Sequence, residues 1–254
     1  MLDRRKLLLG GAAFALSGCK VFDTATDRDS LLRRLFASHE GLTRPAQRAL
    51  IGDRLAPEFS EADIRQGQRP NGSTDPDSSS YRQMAETGFR DYRLTVAGLV
   101  EVPVTLSLAD LTTLPARSQI TRHDCVEGWS CIAKWQGVPL GTVLKLAGPK
   151  VSARYAVFHC FDATERSLSG EVFYYESIDL IDAFHPQTIL AYAMNGAPLP
   201  VANGAPLRLR VERQLGYKMA KYIHTIELVD SLASLGFGKG SYWADRGYEW
   251  YAGI

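Results

Sequence analysis

Apolar residues that alternate with polar ones are the feature of this sequence that most restricts its fold. The alternation begins near residue 92 and covers two short runs: Tyr92, Leu94, Val96, then Val102, Val104 and Leu106. A period of two residues is typical of strands that bury one face. Further strands are predicted over four segments: Tyr155–Phe161, Thr188–Met194, Leu207–Val211 and Lys221–Val229.

The helices predicted for the same region are short. Ser107 and Asp110 form a capping pattern, and a second helix is predicted from Pro139 to Ala147, where Gly148 ends it. Asn-Gly pairs at 195–196 and 203–204 predict turns. Many strands and few short helices indicate an α+β fold with a β-rich core.

Charge and cysteine content restrict the function. A formal net charge of +1 over 254 residues provides no general attraction for nucleic acid, so no nucleic-acid partner is expected. Four cysteines are too few for a disulfide framework in a chain of this length. Cys131 and Cys160 are expected to be buried packing residues, and a disulfide between them is the alternative.

The first 19 residues have the pattern of an export signal. Arg4 and Arg5 precede a short apolar run, and Leu16-Ser17-Gly18-Cys19 ends it like a lipobox. The pattern predicts a twin-arginine-type signal over residues 1–19, a periplasmic location, and a membrane anchor if Cys19 is lipidated. Because this route carries folded proteins, it also indicates a bound cofactor. An uncleaved apolar start is the alternative.

Residues 20–80 are predicted to be a helical lead-in followed by a loop. Helical apolar spacing occurs over residues 30–36, and a second short helix is predicted from Pro45 to Leu55. The stretch from Arg69 to Asp77 is polar and rich in turn-forming residues, which is typical of a surface loop. The remaining residues, 81–254, are predicted to form the functional domain.

Cys125 is the strongest candidate for chemistry. Glycine and two tryptophans lie close to it in the segment 125–135, which suggests the wall of a shaped pocket. A thiolate is a soft ligand, and a single protein thiolate leaves other coordination positions of a redox metal open. A buried packing cysteine is the simpler alternative. A zinc or copper site with His123, His159 and Cys160 is disfavoured, because the spacings match no familiar site.

Two further segments complete a family pattern. Thr121–Ser130 with Trp135–Leu140, together with Asn195–Leu209 and Gly216–Lys221, resembles the sulfite-oxidase-type molybdopterin domain. The resemblance implies a β-rich molybdopterin-binding fold in which Cys125 is the one protein ligand of molybdenum. The other sulfur ligands would come from the molybdopterin cofactor.

The same resemblance assigns the remaining site residues. The implied cofactor contacts are Asn71, Cys125, Cys160, Asn203, Arg208, Met219, Ala220 and Lys221. Arg208 can bind a phosphate through two parallel hydrogen bonds, and Lys221 suits an anionic group at close range. Cys160 stands where relatives have threonine. Arg122 and His123 are the catalytic candidates beside Cys125, because either could orient a substrate.

Within the family, the chain most resembles the catalytic subunits of protein-methionine-sulfoxide reductases. The similarity rests on Cys125-Val126-Glu127, the strand from Tyr155 to Phe158, and His185-Pro186. It implies oxygen-atom transfer on a sulfur substrate such as a sulfoxide, either small or protein-bound. Electrons would be exchanged with a separate cytochrome, for example a membrane b-type haem protein, because no second redox centre is encoded.

Two alternatives have to be weighed against this function. A sulfite dehydrogenase of the same family is disfavoured, because Glu127-Gly128-Trp129 replaces an asparagine and arginines, and no C-terminal dimerisation domain is expected. Without that domain a monomer is expected. The other alternative is a lipoprotein binding module that is cofactor-free or binds zinc. The aromatic residues from Trp243 to Tyr251 are expected to form a lid or a core seam.

Overall fold

The computed structural model describes residues 44–67, 69–167 and 170–254. The predicted export signal with Cys19 and the first lead-in helix lie outside these residues. The contacts divide the chain into one unit that ends at Gly52 and a second unit, Asp53–Ile254. The described part of the first unit, residues 44–52, contains a helix over 44–51, which overlaps the predicted second lead-in helix from Pro45 to Leu55.

The described elements comprise five α-helices and ten strands. The helices are α1 (44–51), α2 (Ser79–Glu86), α3 (Leu108–Thr113), α4 (Leu140–Ala147) and α5 (Leu180–Ala183). The first five strands are β1 (Arg93–Gly98), β2 (Val104–Ser107), β3 (Arg117–Asp124), β4 (Ser130–Pro139) and β5 (Tyr155–Ser167). The others are β6 (Gly170–Asp179), β7 (Ile189–Met194), β8 (Ala197–Pro198), β9 (Arg208–Arg210) and β10 (Ile223–Val229). None of the described helices is both long and apolar enough to span a bilayer.

The strands form two sheets. The first has the order β2-β1-β10-β5-β6, in which only the β1–β10 pair is parallel. The second has the order β3-β4-β7-β8, and β9 also pairs with β7. One hydrophobic cluster contains residues of both sheets and of α4, such as Leu94, Phe158 and Leu190. The two sheets therefore share a core, and the predicted α+β class with a β-rich core is confirmed.

Local sequence signals place the helices of this domain. Ser107 and Asp110 form a reciprocal capping box at the start of α3. Helix α4 ends at Gly148, whose φ of 66° lies in the left-handed region that glycine adopts without strain. Both features are where the sequence predicts them.

The β3–β4 hairpin is the main element that the predicted pattern does not contain. Strand β3 buries alternate residues, but these are the polar residues Gln119, Thr121 and His123. Hydrophobic alternation is therefore absent, although the strand geometry is regular. The hairpin pairs Asp124 with Ser130 and leaves Cys125 in the loop between the two strands.

Candidate active site

A cavity of about 390 Å³ brings four of the predicted site residues together. These are Asn71, Cys125, Met219 and Lys221. The other residues of its lining are Gly72, Ser73, Val126, Glu127, Asp162, Ala163, Thr164, Tyr174, Tyr217, Tyr242, Trp243 and Tyr248. The cavity is thus formed by the 71–73 loop, the hairpin loop, strands β5 and β6, the 216–221 segment and residues beyond 240.

The hairpin loop holds Cys125 at the cavity. The Cys125 backbone N–H donates to the Trp129 carbonyl at 2.9 Å, and Gly128 N–H donates to the Cys125 carbonyl at 3.0 Å. Gly128 has a φ of 84°, so a side chain there would strain this tight turn. The thiol is half-buried and free, and burial raises its pKa. A free thiol at a cavity wall is available as a metal ligand.

Arg122 and His123 point to opposite faces of β3, as neighbouring strand residues do. Arg122 is exposed and its Nε lies 2.9 Å from a carboxylate oxygen of Asp124. His123 is fully buried, and its Nδ1 lies 2.9 Å from Nη1 of Arg210. Burial and the nearby Arg210 lower the pKa of His123 well below its usual value. Neither side chain is part of the cavity lining.

The 216–221 segment approaches the hairpin closely. A Cβ atom built on Gly216 would lie 2.4 Å from Nε2 of His123, so this position excludes a side chain. Asn71 Nδ2 donates to the Gly216 carbonyl at 3.5 Å. Ala220 is buried, and its carbonyl accepts from Leu209 N–H at 2.8 Å. The segment is therefore fixed from both sides, with Met219 and Lys221 at the cavity.

Arg208 is a buried cation with hydrogen-bond donors to spare. Its side chain is 0% exposed, and its Nη1 donates to the Asn203 carbonyl at 2.9 Å. Within the described residues, Nε and Nη2 of Arg208 and Nδ2 of Asn203 meet no hydrogen-bond acceptor. Burial, reinforced by Arg210, lowers the pKa of Arg208 to about 9. Such donors are available to a ligand or to ordered water, because leaving buried polar groups unsatisfied is costly.

Lys221 lies beside Arg208 and reinforces the positive charge. Its Nζ donates to the carbonyls of Ala202 (3.0 Å) and Ser73. Gly204, with a φ of 112°, lets the two cationic side chains pack closely: a Cβ there would lie 2.9 Å from Lys221 Cβ and 3.1 Å from Arg208 Cβ. Burial and Arg208 lower the pKa of Lys221 to about 7. This pair of cations fits a phosphate group, and the donor set therefore suits molybdopterin.

Cys160 lies elsewhere. It is fully buried in β5, where burial raises its pKa, and it lines a separate cavity of about 690 Å³. Cys131 and Cys160 are both free, so the alternative disulfide between them is absent. Among the described residues, no three His, Cys, Asp or Glu side chains are grouped so that they could hold a metal ion.

Several residues of the lining were missed by sequence reasoning. Asp162 is 4% exposed, its Oδ1 meets no hydrogen-bond donor in the described part of the chain, and burial raises its pKa to about 6. The aromatic residues beyond 240 separate into two groups. Trp243 and Tyr248 line the cavity, whereas Trp250 packs on Tyr155 at 5.5 Å between ring centroids. Part of this region therefore forms cavity wall, and part packs as a core seam.

The β-rich fold, with a cavity that joins a free thiol to Lys221 beside the buried Arg208, is typical of a cofactor-binding redox domain. Residues 82–235 match the family described as oxidoreductase molybdopterin binding domain. The chain belongs to this family, as its motifs predict. It is a molybdenum-dependent oxidoreductase that uses the molybdopterin cofactor.

Three known proteins illustrate the relationship. The chain is 36% identical to an Azospira oryzae protein provisionally named a protein-methionine-sulfoxide reductase subunit, over 98% of this chain and 86% of that protein. It is 30% identical to the protein-methionine-sulfoxide reductase catalytic subunit of Ralstonia nicotianae, over 91% and 70%. The sulfane dehydrogenase SoxCD of Paracoccus pantotrophus is similar in fold, with a TM-score of 0.50 at 24% identity over 56% of this chain and 39% of that one.

Some relatives match this chain over only about half of their own length. The protein-methionine-sulfoxide reductase catalytic subunit of Xanthomonas campestris is 39% identical over 148 residues, which are 56% of this chain and 46% of that protein. This chain therefore spans about half the length of that relative.

Proposed function

We propose that this protein reduces sulfoxides by oxygen-atom transfer in the cavity that contains Cys125. A sulfoxide takes up two electrons and two protons and yields a thioether and water. One observation carries the proposal: the same cavity joins a free thiol, Cys125, to an anion site formed by Lys221 and the adjacent Arg208. The names of the relatives supply the sulfoxide as the substrate class.

The chain's own residues would hold the cofactor at both ends. Cys125 supplies the thiolate for molybdenum, whereas Arg208 and Lys221 neutralise the phosphate and Asn203 adds a side-chain donor. Asn71, Met219 and Ala220 would contact the cofactor from the two neighbouring segments. When bound, the cofactor supplies two-electron oxygen-atom transfer.

The lining of the cavity favours a neutral sulfur substrate. Five aromatic residues and Glu127 form much of its wall, and Lys221 would be taken up by the cofactor phosphate. A sulfite anion would need clustered cations beside the metal. Arg122, the cation nearest to Cys125 in sequence, is exposed and paired with Asp124. Asp162 can hold a proton near neutral pH, since burial raises its pKa to about 6, and sulfoxide reduction consumes protons.

Electron supply and location are further parts of the proposal. Each turnover needs two electrons, and relatives are named as subunits, which implies a partner protein. We infer that a separate cytochrome, for example a membrane b-type haem protein, delivers these electrons. The twin-arginine pattern in residues 1–19 supports export to the periplasm, with anchoring through a lipidated Cys19.

The test is an assay of molybdenum-loaded protein with a reduced artificial electron donor. Methionine sulfoxide should be reduced, and sulfite should not be oxidised with an artificial acceptor. Cys125→Ala should abolish turnover, whereas the matched variant Cys131→Ala, which removes a buried free thiol outside the cavity, should remain active. Loaded protein that oxidises sulfite and reduces no sulfoxide would establish the sulfite dehydrogenase alternative.

A further inference from the structure

The last part of the chain contributes to the cavity although it lies outside the family match. The match ends at residue 235, whereas Tyr242, Trp243 and Tyr248 all line the cavity. We call residues 236–254 the closing segment. Because the closing segment supplies part of the cavity wall, substrate preference can depend on residues outside the matched domain.

The rings of the closing segment join two rings of the domain in a continuous series. Centroid distances are 5.6 Å for Tyr174–Tyr242, 5.2 Å for Tyr242–Trp243, 5.0 Å for Trp243–Tyr248 and 5.2 Å for Tyr217–Tyr248. All four distances lie within the favourable range for aromatic pairs. We call these five residues the aromatic wall. All of them line the cavity.

Polar contacts fix one end of the aromatic wall to strand β5. Tyr242 donates its hydroxyl to Glu165 at 2.7 Å, and Arg246 forms an ion pair with the same carboxylate at 2.7 Å. The Arg246 guanidinium lies 3.5 Å from the centroid of the Tyr242 ring. The wall is therefore held in place before a substrate arrives.

The loops on either side of Tyr242 are fixed as well. Asp245 accepts the backbone N–H groups of Phe237 (3.0 Å) and Lys239 (3.2 Å), and also the hydroxyl of Tyr175. Tyr217 donates its hydroxyl to the Glu249 carbonyl at 2.7 Å. Trp243 and Tyr248 nevertheless keep part of their surface exposed and are accessible to a ligand.

The aromatic wall suits the apolar substituents and the sulfur atom of a sulfoxide. Aromatic faces attract alkyl groups through dispersion and attract sulfur through contacts about 5 Å from the ring. The remaining lining, with Asn71, Cys125, Asp162 and Lys221, is polar or reactive. We propose that the closing segment, through Trp243 and Tyr248, binds the apolar substituents of the sulfoxide and so determines which sulfoxides are accepted. This inference rests on the proposed function.

The experiment compares methyl phenyl sulfoxide with dimethyl sulfoxide in molybdenum-loaded protein. Trp243→Ala should raise the KM for methyl phenyl sulfoxide about tenfold, the effect of losing one strong aromatic contact, with kcat within about twofold. The KM for dimethyl sulfoxide should change about twofold or less, because its methyl groups reach little of the wall. Trp243→Phe should recover most of the affinity. Phe237→Ala changes an exposed ring of the same segment and serves as the control.

Direct binding provides a second readout. Calorimetric titration with methyl phenyl sulfoxide should show the same tenfold weakening in Trp243→Ala and none in Phe237→Ala. An unchanged KM and Kd would overturn the inference, and so would equal losses of kcat and molybdenum content with every sulfoxide, since these indicate a structural role. Failure of the wild-type protein to reduce any sulfoxide would instead overturn the proposed function, and binding would still test the wall.

Discussion

Arg208 and Arg210 differ in their charge partners although they are alike in position. They are two residues apart on the same face of β9, both are fully buried, and their guanidinium carbons lie 4.9 and 4.4 Å from the centroid of the Trp135 ring. Arg210 donates two hydrogen bonds to Glu212, at 2.9 and 2.6 Å. Arg208 bonds one carbonyl and, among the described residues, no carboxylate. A buried cation with a carboxylate is structural, and one without it indicates an anionic ligand.

The same difference recurs three residues apart in the 216–221 segment. Lys218 is fully buried with its Nζ 2.5 Å from Glu176, whereas Lys221 bonds only carbonyls at the cavity. We call Arg210, Glu212, Lys218 and Glu176 the paired set, and Arg208, Lys221 and Asp162 the open set. The paired set should stabilise the fold, and the open set should act mainly on ligand binding.

The largest effect is expected from breaking the paired set. Glu176→Ala leaves Lys218 buried without its partner and should lower the free energy of unfolding by about 3–5 kcal/mol. Urea denaturation of the cofactor-free protein measures this. Glu171→Ala on the same strand removes an exposed ion pair with Arg166 and should cost about 0.5 kcal/mol or less. Similar losses of unfolding free energy in the two variants would contradict a stabilising role for the paired set.

Replacing Asp162 should raise the free energy of unfolding, whereas replacing Glu176 lowers it. The pKa of Asp162 is about 6 in the folded protein against 3.8 for the free side chain, so between these pH values the unfolded state binds fewer protons. Stability is therefore lost as the pH rises from about 4 to 6, by about 3 kcal/mol in total. Asp162→Asn should be more stable than wild type at pH 7 by up to about that amount, with a smaller gain at pH 4.5. Equal gains at both pH values would disprove this ionisation.

Arg208→Met separates ligand binding from stability. Burial lowers the pKa of Arg208 to about 9, so its charge opposes folding, and its removal should leave the free energy of unfolding of the cofactor-free protein unchanged or raised. Molybdenum retained after purification should fall at least about tenfold, because the phosphate loses two donors. Arg210→Met is the matched variant and should instead destabilise the fold, since it leaves Glu212 buried alone. If Arg208→Met destabilised the fold and Arg210→Met mainly lost molybdenum, the roles assigned to the two arginines would be refuted.

The smallest effect concerns pH and anion binding. Lys221, with a pKa of about 7, is mainly charged at pH 6 and mainly neutral at pH 8, whereas Arg208, with a pKa of about 9, stays mainly charged at both. Sulfate should therefore bind the cofactor-free protein several-fold more weakly at pH 8. Asp162 becomes negative over the same range and acts in the same direction. Lys221→Gln should remove most of the pH dependence of sulfate binding in a calorimetric titration. An unchanged pH dependence in this variant would show that Lys221 is not its source.

Sequence reasoning predicts the fold where hydrophobic side chains carry the pattern. Strands β1, β2, β5 and β10 have apolar alternation and are predicted near their observed positions. Strand β3 is not, because its buried residues Gln119, Thr121 and His123 are polar. Gln119 Oε1 accepts from its strand neighbour Arg117, but its Nε2 donates to Glu212 and to the Gln187 carbonyl, which are remote in sequence. Long-range partners of this kind leave no local signal.

The site residues are likewise predictable only where a sequence motif marks them. Family motifs predict Cys125, Met219 and Lys221, and all three meet at one cavity. Asp162 is followed by a polar stretch that resembles an exposed part of a strand, so its burial could not be read from the sequence. The roles assigned to Arg122, His123 and the cofactor contacts stay predictions. Contacts between β3 and the 216–221 segment decide them, and these depend on the tertiary fold.

The closing segment has a consequence for biosynthesis. Leu215 N–H donates to the Ala252 carbonyl at 2.9 Å and Ile254 N–H donates to the Arg213 carbonyl at 3.1 Å, directly before the segment that carries Lys221. The support of the anion site therefore comes from residues that the ribosome adds more than thirty positions later. Nascent chains that stop short of these residues would carry Cys125 and Lys221 without a finished cavity. We therefore expect cofactor loading to require a chain that has been synthesised past residue 252.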